Sequence, residues 1–228
     1  MILTTDLKKT IIVAPHPDDE VLGAGGTLLR RKRDQGAQIA WLIITGISET
    51  AGWPAERVAE RNAEIEQVAQ FFDFDAVYRL DLPPAQLETL PMSEIVGGVS
   101  KAFQEFQPEE VLVPHPADVH TDHRIVFDAV ASCSKWFRYP SVKQVMAYET
   151  LSETDFGLIG LEPFRPNVFV DISQYLDEKM KAMEIYTSEV GDFPFPRSYE
   201  AMRALAMMRG AASGYLAAEA FQLLRSRD

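Results

Sequence analysis

Cysteine is all but absent: the 228-residue chain has one, Cys133. A single thiol excludes an intrachain disulfide framework and a Cys-rich zinc module, and is expected to be a buried structural residue. Positive charge is also short. The 22 Lys and Arg stand against 34 Asp and Glu, a formal net charge of −12. That balance argues against nucleic acid or an anionic membrane as the main partner, although local basic residues would decide for a small anionic substrate. No run approaches the ~20 apolar residues of a membrane span. The N-terminal stretch lacks the charged, apolar, then small pattern of a leader, so a soluble cytoplasmic protein is expected. What is present is ordinary for a globular domain: 46% hydrophobic and 25% charged residues exclude a disordered chain.

The first half alternates strand-like and helix-like segments. Residues 10–14 (TIIVA) form a β-branched run ended by Pro15, and residues 21–35 continue as a helix stopped by Gly36. Strands are predicted at 37–45, 76–80 and 111–113, with helices at 54–72, 93–106 and 122–136. The second half is less regular, with strands expected at 144–149 and 167–171 and helices at 173–186 and 198–208. Residues 191–197 (GDFPFPR) read as a surface loop. There is no internal repeat and no convincing linker, so residues 1–228 are expected to form a single domain. Strands separated by helices require crossover connections, hence an α/β three-layer sandwich on a mainly parallel sheet.

Histidine is the informative rarity. The four, His16, His115, His120 and His123, lie in two short loops, each following a predicted strand and each carrying carboxylates. His with Asp is a ligand set suited to Zn²⁺. His16 and Asp19 are three apart at a strand-to-helix turn and can converge on one point, which leaves Asp18 aimed elsewhere, towards water. His123, at a helix start, can supply a third ligand. His120 lies one turn upstream, with Asp122 near enough to fix its tautomer. Three protein ligands leave a fourth position open, as in catalytic zinc sites. Asp18 can also be read as an N-cap of the following helix, Asp118 as a partner of a ligand or a solvated carboxylate, and His115 as a loop hydrogen-bonder. Gly23, Gly25 and Gly26 do not match G-x-G-x-x-G and read as close-packing positions. The run Arg30 to Arg33 reads as a solvated helix face.

The stretch PHPDDEVLGAGGTL resembles the AHPDDE signature of the PIG-L/LmbE family of zinc-dependent N-deacetylases, and PADVHTDHR resembles that family's second motif. Further echoes are Thr45-Gly46, Arg57 and Arg61 with Glu64, and Lys181 to Glu189 (KAMEIYTSE). Pro15 and Glu189 depart from the Ala and Gln usual at those places. The resemblance covers most of the chain and implies a Rossmann-like fold with core strand order 3-2-1-4-5. The order would reverse between strands 1 and 4, whose carboxyl ends carry the two histidine loops, the place where open α/β sheets bind ligands.

The resemblance further implies one Zn²⁺ or other divalent ion per chain, held by His16, Asp19 and His123. Asp18 would be the general base, and a positively charged His120 oriented by Asp122 would steady the oxyanion. Arg61 would lie near the substrate by analogy, a surface ion pair with an acidic helix neighbour being its other reading. The implied partner is a small N-acetyl amino sugar of the GlcNAc type, free or conjugated, with neither nucleic acid nor membrane; homo-oligomerisation is left open. Two other classes fit the same residues: a metal-dependent hydrolase of a non-sugar amide or ester, and a non-catalytic zinc-containing sugar-binding protein.

Overall fold

The computed structural model describes residues 7–158 and 163–228; part of the N-terminal stretch on which the leader argument rests lies outside them. In chain order come β1 (Lys9–Ala14), α1 (Asp19–Arg33), β2 (Gln38–Thr45), α2 (Ala55–Phe72), β3 (Ala76–Leu82), α3 (Met92–Phe106), β4 (Glu110–Pro114), α4 (Thr121–Ser132) and β5 (Gln144–Tyr148). They are followed by β6 (Val168–Asp171), α5 (Leu176–Met183), α6 (Tyr199–Ser213) and β7 (Ala218–Ser226). Among the described residues the strands form one sheet in the order β3-β2-β1-β4-β5-β7-β6. The first five pair in parallel, as expected, whereas β7 runs antiparallel to both β5 and β6.

β1 shows why three layers form. Its side chains alternate across the sheet: Ile11 and Val13 pack with Val99, Phe103 and Val126 of α3 and α4. Ile12 and Ala14 pack with Val21, Leu28, Ile65 and Phe72 of α1 and α2. A strand buried on both faces needs an unbroken apolar run, which is what residues 10–14 supply. Right-handed crossovers put α1 and α2 on one face while the chain steps from β1 out to β3, and α3 and α4 on the other as it returns to β4 and β5. The reversal therefore falls between β1 and β4, and their carboxyl ends open a crevice.

The register at that seam is pinned by polar groups. Thr10 lies opposite Glu110 in the ladder. Its hydroxyl donates to Glu110 Oε2 at 2.7 Å, and Arg31 donates to both oxygens of the same carboxylate at 2.9 and 3.0 Å. Arg31 is thus no part of a solvated face, contrary to the sequence expectation. The glycines of α1 do serve close packing: a Cβ on Gly23 would meet the Tyr148 ring at 2.3 Å, and one on Gly26 would meet Ile172 at 2.7 Å.

Among the differences from the sequence pattern, two helix boundaries and one strand have a clear physical reason. α4 stops at Ser132, before residue 136, because the Ser132 and Ser134 hydroxyls take the Asp128 and Ala131 carbonyls and close the last turn. α5 starts at Leu176 because the Ser173 amide and hydroxyl both turn back onto Asp171 Oδ1 and hold the chain out of a helix. β7 was not expected at all. Its Ala and Glu residues are weak strand formers, and its extended form comes from filling the slot between β5 and β6. Among the described residues no helix is long and apolar enough to cross a membrane.

Candidate active site

The two histidine loops meet at the β1–β4 crevice. The first begins where Pro15 ends β1. His16 N donates back to Asp19 Oδ2 at 2.8 Å, which curls the turn so that both side chains face inward. Asp18, between them, adopts φ 139° with no capping bond from its side chain, so the N-cap reading does not hold. Its amide is taken up instead by Glu20 Oε2 at 3.1 Å, and Glu20 Oε1 accepts from the Tyr186 hydroxyl at 2.7 Å. In the second loop His120 caps α4 and His123 sits one turn in, buried.

His16 Nδ1 and His123 Nε2 each lie 3.4 Å from the same oxygen, Asp19 Oδ2, and one donor atom from each of the three residues falls within 4.8 Å of the others. His123 Nε2 is buried and has no hydrogen-bond partner. The outer nitrogens are both engaged: His16 Nε2 lies 3.0 Å from Asp122 Oδ2, and His123 Nδ1 lies 2.8 Å from Asp118 Oδ2. Each carboxylate is itself fixed, Asp118 by the Thr154 hydroxyl at 2.7 Å and Asp122 by the Ala85 amide at 2.7 Å. Imidazoles held in this way by a carboxylate on the far nitrogen are the usual setting of metal-ligating histidines. A second triad, His16, His120 and Asp122, also clusters, but two of its donor atoms are already bonded to each other.

Electrostatics point the same way. Burial would lower the pKa of His16, but hydrogen bonds to Asp122 and Asp19 outweigh it and raise it to about 9. His123 is raised as well, against its burial, by Asp19 and Asp118, and burial of Asp19 is overcome by the two imidazoles, which hold it well below the carboxylate range. The pocket thus stabilises positive charge at one point, and a divalent cation can take the place of those protons. Asp18 goes the other way: burial, then the Asp19 and Glu189 carboxylates, push it up to about 8.

One expected role is corrected. Asp122 does not orient His120: its carboxylate is 3.9 Å from His120 Nδ1 and serves His16 instead. His120 Nδ1 accepts the Asp122 backbone amide at 3.1 Å. Burial and the neighbouring His16 lower the His120 pKa, which favours a neutral ring, and a neutral ring accepting at Nδ1 carries its proton on Nε2. Arg61 lines the cavity, but its guanidinium is committed to the Pro17 carbonyl at 3.1 Å, to Glu64 at 3.2 Å and to Glu189. His115 makes the loop bond expected of it, accepting from the Ala117 amide at 3.3 Å. Sequence reasoning missed Glu20, Glu153 and Arg197. Arg197 comes from the 191–197 segment read as surface, yet its Nη1 lies 3.3 Å from Asp18 Oδ2.

A sequence profile of the PIG-L family, described as GlcNAc-PI de-N-acetylase, matches residues 11–134, a span that holds both histidine loops. The chain belongs to the PIG-L family. Diacetylchitobiose deacetylase of Thermococcus kodakarensis is 24% identical over 227 residues, covering 96% of this chain and 84% of that protein. The structure of N,N'-diacetylchitobiose deacetylase from Pyrococcus horikoshii superposes with a TM-score of 0.75 at 25% identity, covering 96% of this chain and 85% of that one. GalB, the 4-carboxy-2-hydroxymuconate hydratase from Pseudomonas putida KT2440, shares the fold with a TM-score of 0.71 at 19% identity, covering 97% and 98% of the two chains. One scaffold thus carries different reactions, and only the site can choose between them.

Proposed function

We propose that the protein is a zinc-dependent N-deacetylase that removes the acetyl group from an N-acetylated amino sugar, free or conjugated, releasing acetate and a free amine. The observation that carries this is His123 Nε2, buried without a partner and facing the Asp19 oxygen that His16 Nδ1 also faces. His16, Asp19 and His123 would hold one ion per chain, and two imidazoles with one carboxylate suit zinc at an open, catalytic site. Bound there, such an ion polarises an acyl oxygen and lowers the pKa of water towards about 7.

The chain's own residues do the rest. Asp18 takes a proton from water as the water oxygen adds to the acetyl carbon, then delivers it to the amine nitrogen as the C–N bond breaks. Its raised pKa suits both halves of that cycle. His120, held neutral by the Asp122 amide, presents Nε2–H to the acyl oxygen as charge collects on it. Asp122 and Asp118 keep His16 and His123 in the tautomers that leave the facing nitrogens free. Arg61 ties α2 to Pro17 and steadies the turn that carries Asp18.

The test is acetate release by zinc-loaded protein from a panel of N-acetylamino sugars and their conjugates, with Asp18→Ala as the matched control. Acetate from a panel member is expected, falling by roughly 10²- to 10⁴-fold in the variant. Silence across the panel with zinc bound, or an undiminished variant, would overturn the proposal.

A further inference from the structure

We infer that Glu20 and Tyr186 form a clasp that aims Asp18, holding its backbone in a strained conformation that keeps the carboxylate on the cavity wall; both are positioning residues for the proton transfers. The transfers themselves rest on the deacetylase reading, whereas the clasp rests on backbone geometry alone.

Six described residues other than glycine have positive φ, and five of them lie between 50° and 73°, in or beside the left-handed region that L-residues visit. Asp18 stands apart at φ 139° and ψ −29°, where any Cβ is strained and glycine is at ease. Such a conformation persists only where its surroundings over-determine it. Here both sides of the residue are held. Its carbonyl accepts from the Val21 and Leu22 amides, each at 3.0 Å, as α1 begins. Its amide donates to Glu20 Oε2 at 3.1 Å.

That amide is the handle on the side chain. The angle φ is the rotation about N–Cα, so it sets the direction of Cβ relative to the N–H. With the N–H tied down, the carboxylate stays on the cavity lining with Oδ2 3.3 Å from Arg197 Nη1. A turn to an ordinary φ would either break the Glu20 bond or swing the carboxylate away. Glu20 is not free to follow. Its Oε1 accepts from the Tyr186 hydroxyl at 2.7 Å, and both side chains are fully buried. The Arg61 guanidinium in turn lies 5.6 Å from the centre of the Tyr186 ring while it donates to the Pro17 carbonyl, one residue before Asp18. A bond that merely satisfied the amide would protect stability without selecting for rate, so the two roles separate in kinetics.

The test measures kcat, KM and zinc affinity for Glu20→Ala, Glu20→Gln and Tyr186→Phe on an N-acetylamino sugar that yields acetate. Glu20→Ala should lower kcat by roughly 10- to 100-fold, with KM and zinc affinity largely kept. Glu20→Gln, whose carbonyl still accepts the Asp18 amide, should recover most of that loss. Tyr186→Phe should lose a smaller part, roughly threefold or more. A wild-type kcat in folded Glu20→Ala, or a Gln variant as slow as the Ala variant, would overturn the inference; should Glu20→Ala not fold, a wild-type kcat in Tyr186→Phe would do so. Thermal melts test the clasp without activity. Asp18→Gly should melt above Asp18→Ala, the reverse of the ordinary order of the two residues, and the gap should close when Glu20→Ala or Tyr186→Phe is added. A gap that persists would overturn the clasp. If zinc-loaded wild type releases no acetate, the hydrolase reading falls and the melts decide alone: Gly above Ala upholds the clasp, and Ala level with or above Gly overturns it as well.

Discussion

Asp118 Oδ2 lies 2.8 Å from His123 Nδ1, and the pair is buried. Only one tautomer of neutral His123 satisfies that bond, with the proton on Nδ1 and the lone pair of Nε2 pointing at Asp19 Oδ2. Asp118 therefore sets the direction of a nitrogen it does not touch. Asp118→Ala should weaken zinc binding by about 10- to 100-fold, measured by competition with a chromophoric chelator. Unaltered affinity would show that packing alone holds the ring.

His120 is read here as a neutral donor, not a cation. His120→Ala should cost roughly 10²- to 10³-fold in kcat, and His120→Gln, which can still donate, should recover part of it. If the group were a buried cation, Gln would be no better than Ala. Steady-state rates of the two variants decide the matter.

The metal-free protein should become less stable as pH rises from about 6.5 through 9. His16, raised to about 9, contributes stability in its protonated form that is complete below the unfolded histidine value and is lost as pH climbs through the folded one. Asp18 and Glu20, pushed up to about 8 chiefly by burial, act in the same direction over the interval above pH 4. Zinc displaces the histidine protons, so the loaded protein should lose less of its Tm across that window. Thermal melts with and without chelator between pH 6.5 and 9 give the comparison; parallel curves would refute it.

Away from the site, Lys179 Nζ donates to Glu219 Oε1 at 2.6 Å and to the Leu22 carbonyl at 2.8 Å, while Glu219 accepts from the amides of Gly26 and Thr27 at 2.9 and 2.7 Å. A buried ion pair thus engages the backbone of α1 in mid-helix. Glu219→Ala would leave the Lys179 ammonium buried without a counter-charge, and should cost about 3–5 kcal/mol in urea unfolding. Replacing both residues by Met should restore much of that loss.

The five parallel strands and their helices were legible because β1, β2 and β4 are continuous apolar runs between helices of clear period, and the two loops stood out because every histidine lies in them. The reach of Asp122 was not legible. Its closeness in sequence to His120 suggested a partnership, whereas its carboxylate crosses to His16, 106 residues away. Arg197 was hidden for a similar reason: a Pro- and Phe-rich segment has the composition of a surface loop, and only the chain path shows its last residue turned in to Asp18. Glu219 gave no signal, since a lone Glu among Ala residues of a strand does not announce that its carboxylate will reach the backbone of α1.

The pin of Thr10 and Arg31 on Glu110 lies at the far end of the seam from the histidines, yet it governs the distance between them. A slip of one residue between β1 and β4 would carry the second loop about 3.3 Å along the sheet and turn its side chains to the other face. His123 would then miss Asp19 altogether. The proposed ligand set is in effect a vernier on the central strand pair, and capture of an ion by those three residues would report that the sheet is correctly aligned.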